Sequence, residues 1–420
     1  MHWFALLILV LIGLRTLTQA WLEWLNQRHV EAHADAVPPA FKDTVDPETY
    51  RKTVDYTLAK IRFGKIELAW GTLLTIVILY SGILPAIWSR WIQVGGTGSW
   101  ASAAGLFLVG VLLALPSLPL DAWSQFRLEE RFGFNTTTPS TWCLDRLKSL
   151  VLAALLGIPL LALLLQWVKW TGDSWWLWAW ATFFGFQILM LLLAPVLILP
   201  RFNKFTPLPD GALKDRLIGL AQRTRFQARG IEVMDGSKRS RHSNAFFTGM
   251  GRFRKIVLFD TLISQLGDEE LEAVLAHEIG HFRLRHIPKM FAGSAVMTLL
   301  GFAAIGWLAR QPWFFQAFGF ETPSVPVALL LFALLADVAT FWFTPLSHLL
   351  SRKFEYQADA FAAEAMGSEQ PLIRALRKLS EKNLSNLTPH PAYSGFYYSH
   401  PTLLERETAL ARGAAAGATG

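Results

Sequence analysis

The amino-acid sequence predicts a mainly α-helical integral membrane protein, with seven transmembrane helices and a polar domain containing a small β-hairpin or sheet. Three observations carry this. Of 420 residues, 52% are apolar and only 17% are charged, where a soluble domain carries about 25% charged residues. Seven apolar runs approach or exceed the roughly 20 residues that cross a bilayer. They are residues 3–22, 66–88, 101–120, 150–168, 175–199, 290–309 and 325–349. The basic residues fall in alternate loops, as they do where loop charge sets the orientation of a multi-pass protein. A mean hydropathy of +0.32 and 18 Trp, a residue that gathers at membrane interfaces, agree with this.

The first run carries Arg15. No basic segment precedes it and no small-x-small cleavage pattern follows, so it reads as a retained helix rather than a signal peptide. Arg15 then snorkels or faces the bundle interior. The first loop holds Arg28, Lys42, Arg51, Lys52, Lys60, Arg62 and Lys65, and the second only Arg90. Arg127, Arg131, Arg146 and Lys148 occupy the third, while the fourth has Lys169 and the sixth Arg310. The long fifth loop and the segment after Ser351 are basic again. This alternation predicts an N-terminus outside, with the fifth loop and the C-terminus in the cytoplasm. Two polar residues lie within spans. Asp337 is expected to face a bundle interior or wet cavity, and Gln187 does the same or makes an interhelical hydrogen bond. The net charge of +7 follows from the basic loops, so no nucleic-acid partner is expected. The single cysteine, Cys143, excludes an intrachain disulfide and does not favour a thiolate metal site.

The fifth loop holds most of the expected polar structure. Residues 213–224 have an amphipathic helical pattern, and 230–234, 244–248 and 256–260 read as strands, the last two forming a hairpin across Gly249 and Gly251. A helix follows, because residues 268–287 contain good helix formers and no Pro before Pro288. It carries His277-Glu278-Ile279-Gly280-His281. His277 and His281, at i and i+4, share one face and can ligate one Zn²⁺. Glu278, beside the metal rather than on it, can take a proton from a zinc-activated water and pass it to a leaving amine. Zinc needs a third protein ligand. His286 is a poor choice, since nine residues beyond His277 it falls about 180° around a continuous helix. Glu355, within Ser351-Arg352-Lys353-Phe354-Glu355-Tyr356-Gln357-Ala358-Asp359, is the better candidate. Asp359, one turn on, would accept a hydrogen bond from a ligand histidine.

Further stretches point the same way: Glu129-Glu130-Arg131-Phe132-Gly133-Phe134-Asn135, Asn203-Lys204-Phe205-Thr206-Pro207-Leu208, and Met234-Asp235-Gly236-Ser237-Lys238-Arg239-Ser240. So do Ser243-Asn244-Ala245-Phe246-Phe247, Ile256-Val257-Leu258-Phe259-Asp260-Thr261-Leu262 and Tyr398-Ser399-His400-Pro401-Thr402. Together with the two helices these resemble the Ste24-type CAAX prenyl proteases, M48-class membrane zinc metallopeptidases, in their bacterial form. The resemblance covers nearly the whole chain. It implies seven helices around a water-filled chamber, with the zinc site of a metallopeptidase domain at the cytosolic end. It matches His277, His281 and Glu355 to the zinc ligands, Glu278 to the catalytic glutamate and Asp359 to the aspartate behind a ligand. Asn244 and His400 match residues that hold the substrate backbone and the tetrahedral intermediate; His400 can donate to an oxyanion, and Asn244 lies on an edge strand open to β-addition. Left to their own spacing, these two read equally as a surface histidine and a strand-edge amide. Arg406 either buttresses a carboxylate or is solvated.

The expected organisation is a membrane region over 1–200 with five helices, a zinc-peptidase domain over 201–289, two helices over 290–350, a helical part over 351–412 that completes the site, and a disordered tail over 413–420. The expected function is zinc-dependent endopeptidase activity with one Zn²⁺ per chain, in a bacterial inner membrane with the site on the cytoplasmic side. Expected partners are the lipid bilayer and peptide or protein substrates, prenylated or membrane-associated. Two alternatives compete: a quality-control protease of the heat-shock type, and a chamber protein that binds peptide or lipid without hydrolysis.

Overall fold

The computed structural model describes residues 2–227, 229–248 and 255–417. Six helical runs among them are long and apolar enough to cross a membrane: Trp3–Ala32, Pro47–Tyr80, Ser99–Phe132, Pro139–Phe202, His286–Leu308 and Val325–Met366. The longest holds two of the expected spans. It breaks at Gly172, whose φ of 54° suits glycine, and its halves Pro139–Thr171 and Trp175–Leu193 pack on each other. The run expected over 66–88 is split, because Gly82 at φ 79° ends one helix and starts Ile83–Gly95. Sequence hydropathy missed that break, since the flanking residues on both sides are apolar.

Leu14, Leu155, Val296 and Leu300 are exposed on these helices, as a lipid environment allows. Trp88, Leu106, Leu165, Phe315 and Leu331 form the core between them. Inside that frame Arg15 and Asp337 meet at 2.5 Å, so Arg15 faces the bundle interior and neutralises the aspartate. Gln187 makes no hydrogen bond among the described residues.

The polar domain is built on a four-stranded sheet of β1 Phe205–Pro207, β2 Gly230–Met234, β3 Ala245–Thr248 and β4 Lys255–Phe259, in the order β1-β2-β4-β3. β3 and β4 are antiparallel, with Phe246 opposite Val257, and β2 and β4 are parallel, with Ile231 opposite Ile256. β1, three residues ending in a proline, was too short to read from the sequence. Residues 249–254, including Gly249 and Gly251 of the expected hairpin turn, lie outside the described residues. The final helix, Leu403–Gly417, takes in the first residues of the Ala- and Gly-rich tail; residues 418–420 of the tail expected to be disordered lie outside the described residues.

The motif helix, Asp268–Arg283, packs its Leu271, Leu275 and Ile279 into the second core with Leu217, Leu258 and Leu372. Asp268, Glu269 and Glu270 occupy its first turn, where carboxylates favour the positive end of the helix dipole. Glu270 also accepts the Gly267 N–H at 2.8 Å. Against this helix lies Thr344–Met366, which carries Glu355 and Asp359. The two approach closely at Gly280: a Cβ there would sit 3.1 Å from Ala358 Cα and 3.2 Å from its carbonyl oxygen. Gly280→Ala should therefore push the helices apart, at about 1–3 kcal/mol. Thermal unfolding of the detergent-solubilised protein should report a lower midpoint together with weaker metal retention. An unchanged midpoint would mean that the contact does not set the helix spacing.

Candidate metal centre

His277, His281 and Glu355 converge where the two helices cross. Their Nε2, Nε2 and carboxylate oxygens lie within 4.8 Å of one another. The separations are 3.1 Å between the two histidine nitrogens, 3.5 Å from His277 to Glu355 Oε2 and 3.3 Å from His281 to Glu355 Oε1. A tetrahedral zinc site with bonds of about 2.0–2.2 Å has ligand–ligand edges of about 3.3–3.6 Å. The two separations to Glu355, one to each of its oxygens, match this and the nitrogen–nitrogen separation is slightly shorter, so the three side chains can converge on one zinc ion. Glu355 Oε2 supports the fit, being buried with no hydrogen-bond partner.

What makes both Nε2 atoms available is the commitment of the opposite nitrogens. His277 Nδ1–H donates to Asp359 Oδ1 at 2.8 Å. Arg406 grips that carboxylate with two hydrogen bonds, Nε to Oδ2 at 2.8 Å and Nη2 to Oδ1 at 2.5 Å. Arg406 is buried, so of the two readings its sequence left open the structure has the one in which it buttresses a carboxylate. His281 is held differently. Its Nδ1–H donates to His286 Nδ1 at 3.0 Å, and His286 Nε2–H donates to Gln357 Oε1 at 3.0 Å. His286 is fully buried and stacks on Phe354, with centroids 4.2 Å apart.

His286 and Gln357 were missed by sequence reasoning. On a continuous helix His286 would point away from the motif face. Instead the motif helix ends, Arg285 takes a left-handed φ of 56°, and a new helix starts at His286. That turn swings the ring back behind His281. A left-handed conformation at a non-glycine residue is uncommon and has no reliable local signal.

The electrostatics favour a cation. Burial opposes charge on His277, but its hydrogen bonds to Asp359 and Glu355 outweigh this and raise the imidazole to about 9. Those carboxylates would favour a divalent metal for the same reason. Desolvation pushes the Glu278 carboxyl up. Glu278 has no hydrogen bond or ion pair among the described residues, so it is available to a water or substrate. His400 Nε2 comes within 3.4 Å of Glu355 Oε1, and Ser399 Oγ lies 3.0 Å from His400 Nδ1. Desolvation lowers its pKa, so a neutral ring accepting from Ser399 presents Nε2–H towards the centre. Asn244 immediately precedes the edge strand β3, its Oδ1 accepting from the Ala245 N–H at 2.8 Å.

Residues 26–204 match the family described as CAAX prenyl protease N-terminal, five membrane helices, and residues 207–413 match peptidase family M48. The chain is 38% identical to CAAX prenyl protease 1 of Saccharomyces cerevisiae, over 96% of this chain and 94% of that protein. It is 32% identical to the Homo sapiens CAAX prenyl protease 1 homolog, over 92% and 90%. The crystal structure of S. mikatae Ste24p superposes with a TM-score of 0.87 at 36% identity, covering 96% of this chain and 98% of that one.

The His281–His286–Gln357 chain makes a prediction. His286→Phe keeps a ring to stack on Phe354 but removes the acceptor for His281 Nδ1–H. Zinc affinity, measured by competition with a chelator, should fall about 10- to 100-fold. His286→Asn, whose carbonyl can accept, should recover part of the loss. Full affinity in the Phe variant would rule the chain out as a support for His281.

Proposed function

We propose, from the premise that this chain belongs to the Ste24-type CAAX prenyl proteases of peptidase family M48, that His277, His281 and Glu355 hold its metal and that Glu278 performs its proton transfers. The chain is a multi-pass membrane zinc metalloprotease. Bound zinc supplies a Lewis acid that polarises a carbonyl and acidifies water. The observation that carries the residue assignment is the convergence of the two histidine Nε2 atoms and the Glu355 carboxylate at 3.1–3.5 Å, with Glu278 adjacent in the helix.

In this reading Glu278 accepts a proton from the attacking water and returns it to the leaving amine. Its desolvated carboxyl, raised in pKa, moves toward the neutral range where such exchange is efficient. His400 donates through Nε2 to the oxyanion that forms on the scissile carbonyl. Asn244 and the open edge of β3 receive an extended peptide backbone. Arg406, Asp359, Gln357 and His286 act one step back, fixing which nitrogen each ligand histidine presents. The four blocks 1–200, 201–289, 290–350 and 351–412 divide this labour, the second and fourth meeting at the metal. The substrate class suggested by the relatives' names is a prenylated peptide. The exposed apolar bundle supports membrane-associated substrates.

Glu278→Gln keeps shape and hydrogen bonding but cannot take the proton. Hydrolysis of a long unstructured peptide should fall about 10⁴-fold or more with zinc retained. His400→Ala should cost about 10²–10³-fold in kcat, also with zinc retained. Asp359→Asn should lose activity and zinc together, each about 10- to 100-fold. Near wild-type cleavage by Glu278→Gln would defeat the protease reading in favour of a chamber that binds without hydrolysis.

The basic fifth loop and C-terminal segment support a cytoplasmic site. A reporter active only outside the cytoplasm, fused after Gly367, should be silent. Strong reporter activity there would reverse the topology.

A further inference from the structure

A cavity of about 730 Å³ runs from His400 past Asn383 and His242 to Tyr56 and Lys60. His400 Nε2 also lies 3.4 Å from Glu355 Oε1, so the cavity adjoins the metal centre through that one residue. Its volume falls in the range of about 300–1,000 Å³ that holds small ligands. Among the described residues, Lys60 is the only lysine or arginine that lines it. A second cavity, of about 540 Å³, shares Tyr56, Lys60 and His242 with the first. There Arg146 pairs with Asp121 and Arg239 with Asp145, each at 2.8 Å. Lys60 alone among these cations has no carboxylate within 4.0 Å among the described residues.

The ammonium is nevertheless held in place. It lies 5.1 Å from the ring centroid of Tyr56, one helical turn earlier. Tyr56 is buried and donates to Glu129 Oε1 at 2.8 Å. The other oxygen of Glu129 lies 3.5 Å from His242 Nε2. His242 in turn stacks on Phe134 at 4.2 Å and meets Asn383 Oδ1 at 3.0 Å through Nδ1. Glu129 hydrogen-bonds back to raise His242's pKa, a cost of burial notwithstanding. Glu129 thus has its own hydrogen-bond partners, and its charge attracts the Lys60 ammonium from beyond 4.0 Å. It ends the π-helical turn Ser124–Glu129, a distortion frequent at functional sites.

We infer that Lys60 anchors the C-terminal carboxylate of the peptide substrate while the scissile bond lies at the metal centre. A compact ammonium with no carboxylate within 4.0 Å among the described residues, fixed on an aromatic shelf, suits a single terminal carboxylate. The carboxylate of Glu23 lines the same cavity and would repel such a terminus from its own part of the wall. The anchor also sets where the chain is cut. An extended peptide advances about 3.3–3.6 Å per residue, so adding one residue beyond the scissile bond displaces that bond by a full residue from Glu278.

This inference rests on the peptidase reading above, and the test separates the two. Pairs of peptides identical except for a free carboxylate or a carboxamide at the C-terminus are offered to the full-length, zinc-loaded protein in detergent. Wild type should cleave the acid about 10- to 100-fold more efficiently in kcat/KM, the worth of one charge-assisted hydrogen bond, with most of the difference in KM. The acid-to-amide ratio should collapse towards one in Lys60→Met and survive in Lys60→Arg. Equal cleavage of acid and amide by wild type, or a ratio that persists in Lys60→Met, overturns the anchor and leaves the peptidase reading standing. Cleavage of neither peptide by wild type overturns both.

Discussion

Two imidazole nitrogens stand 3.1 Å apart with their lone pairs turned towards the same point. The rest of the centre depends on that constraint. Each ring commits one proton on the far side, and without a metal the raised pKa of His277, about 9, lets it take up a second proton on Nε2. On one ring that commitment is to a carboxylate locked by Arg406, and on the other to a neutral chain through His286 and Gln357. A cation coordinated by both nitrogens and by Glu355 removes the conflict. Buried polar groups of this kind are stable only when all of them are satisfied.

The two supports are electrically different. Asp359 places a full negative charge behind His277, and Arg406 cancels it for the protein as a whole without removing the hydrogen bond. Behind His281 stand the neutral His286 and Gln357 instead. Two ionised carboxylates, one behind each histidine, would add a second buried charge needing its own partner, at about several kcal/mol. A neutral chain orients the second ring at lower cost. Both supports reach the histidines because the motif helix and Thr344–Met366 lie in contact at a glycine. A larger residue there would separate the nitrogen atoms from the carboxylate they face.

The membrane frame follows a similar economy. Arg15 and Asp337 answer each other within the bundle. The polar shelf of Tyr56, Glu129 and His242 joins the helix Pro47–Tyr80, a π-helical turn and the loop before β3. Such cross-links tie the membrane region to the strand edge and to the cavity beside the metal. Long apolar helices would otherwise have no means of fixing the register of a polar domain packed at their ends.

The sequence by itself determined what is local or periodic. Apolar runs, alternating basic loops, β2, the β3–β4 pair and the spacing of His277, Glu278 and His281 are all read within a window of one helix or strand. Glu355 and Asp359 could be proposed because they too lie one helical turn apart. The tertiary structure decided what depends on contacts across the chain. Asp359 lies 82 residues from His277, Gln357 lies 71 from His286, and Arg406 lies 47 from Asp359. Spacing in sequence carries no distance at that range, so Arg406 stayed open between two readings and Gln357 was invisible. The place of His286 behind His281, though not as a ligand, escaped the sequence for a different reason. Its placement turns on one left-handed residue, Arg285, whose conformation local propensity does not specify and the packing of the following helix imposes. The same holds for Lys60, which sequence reading counted only as one of several basic loop residues. Only packing could place that ammonium on the Tyr56 ring in a cavity that His400 links to the metal centre.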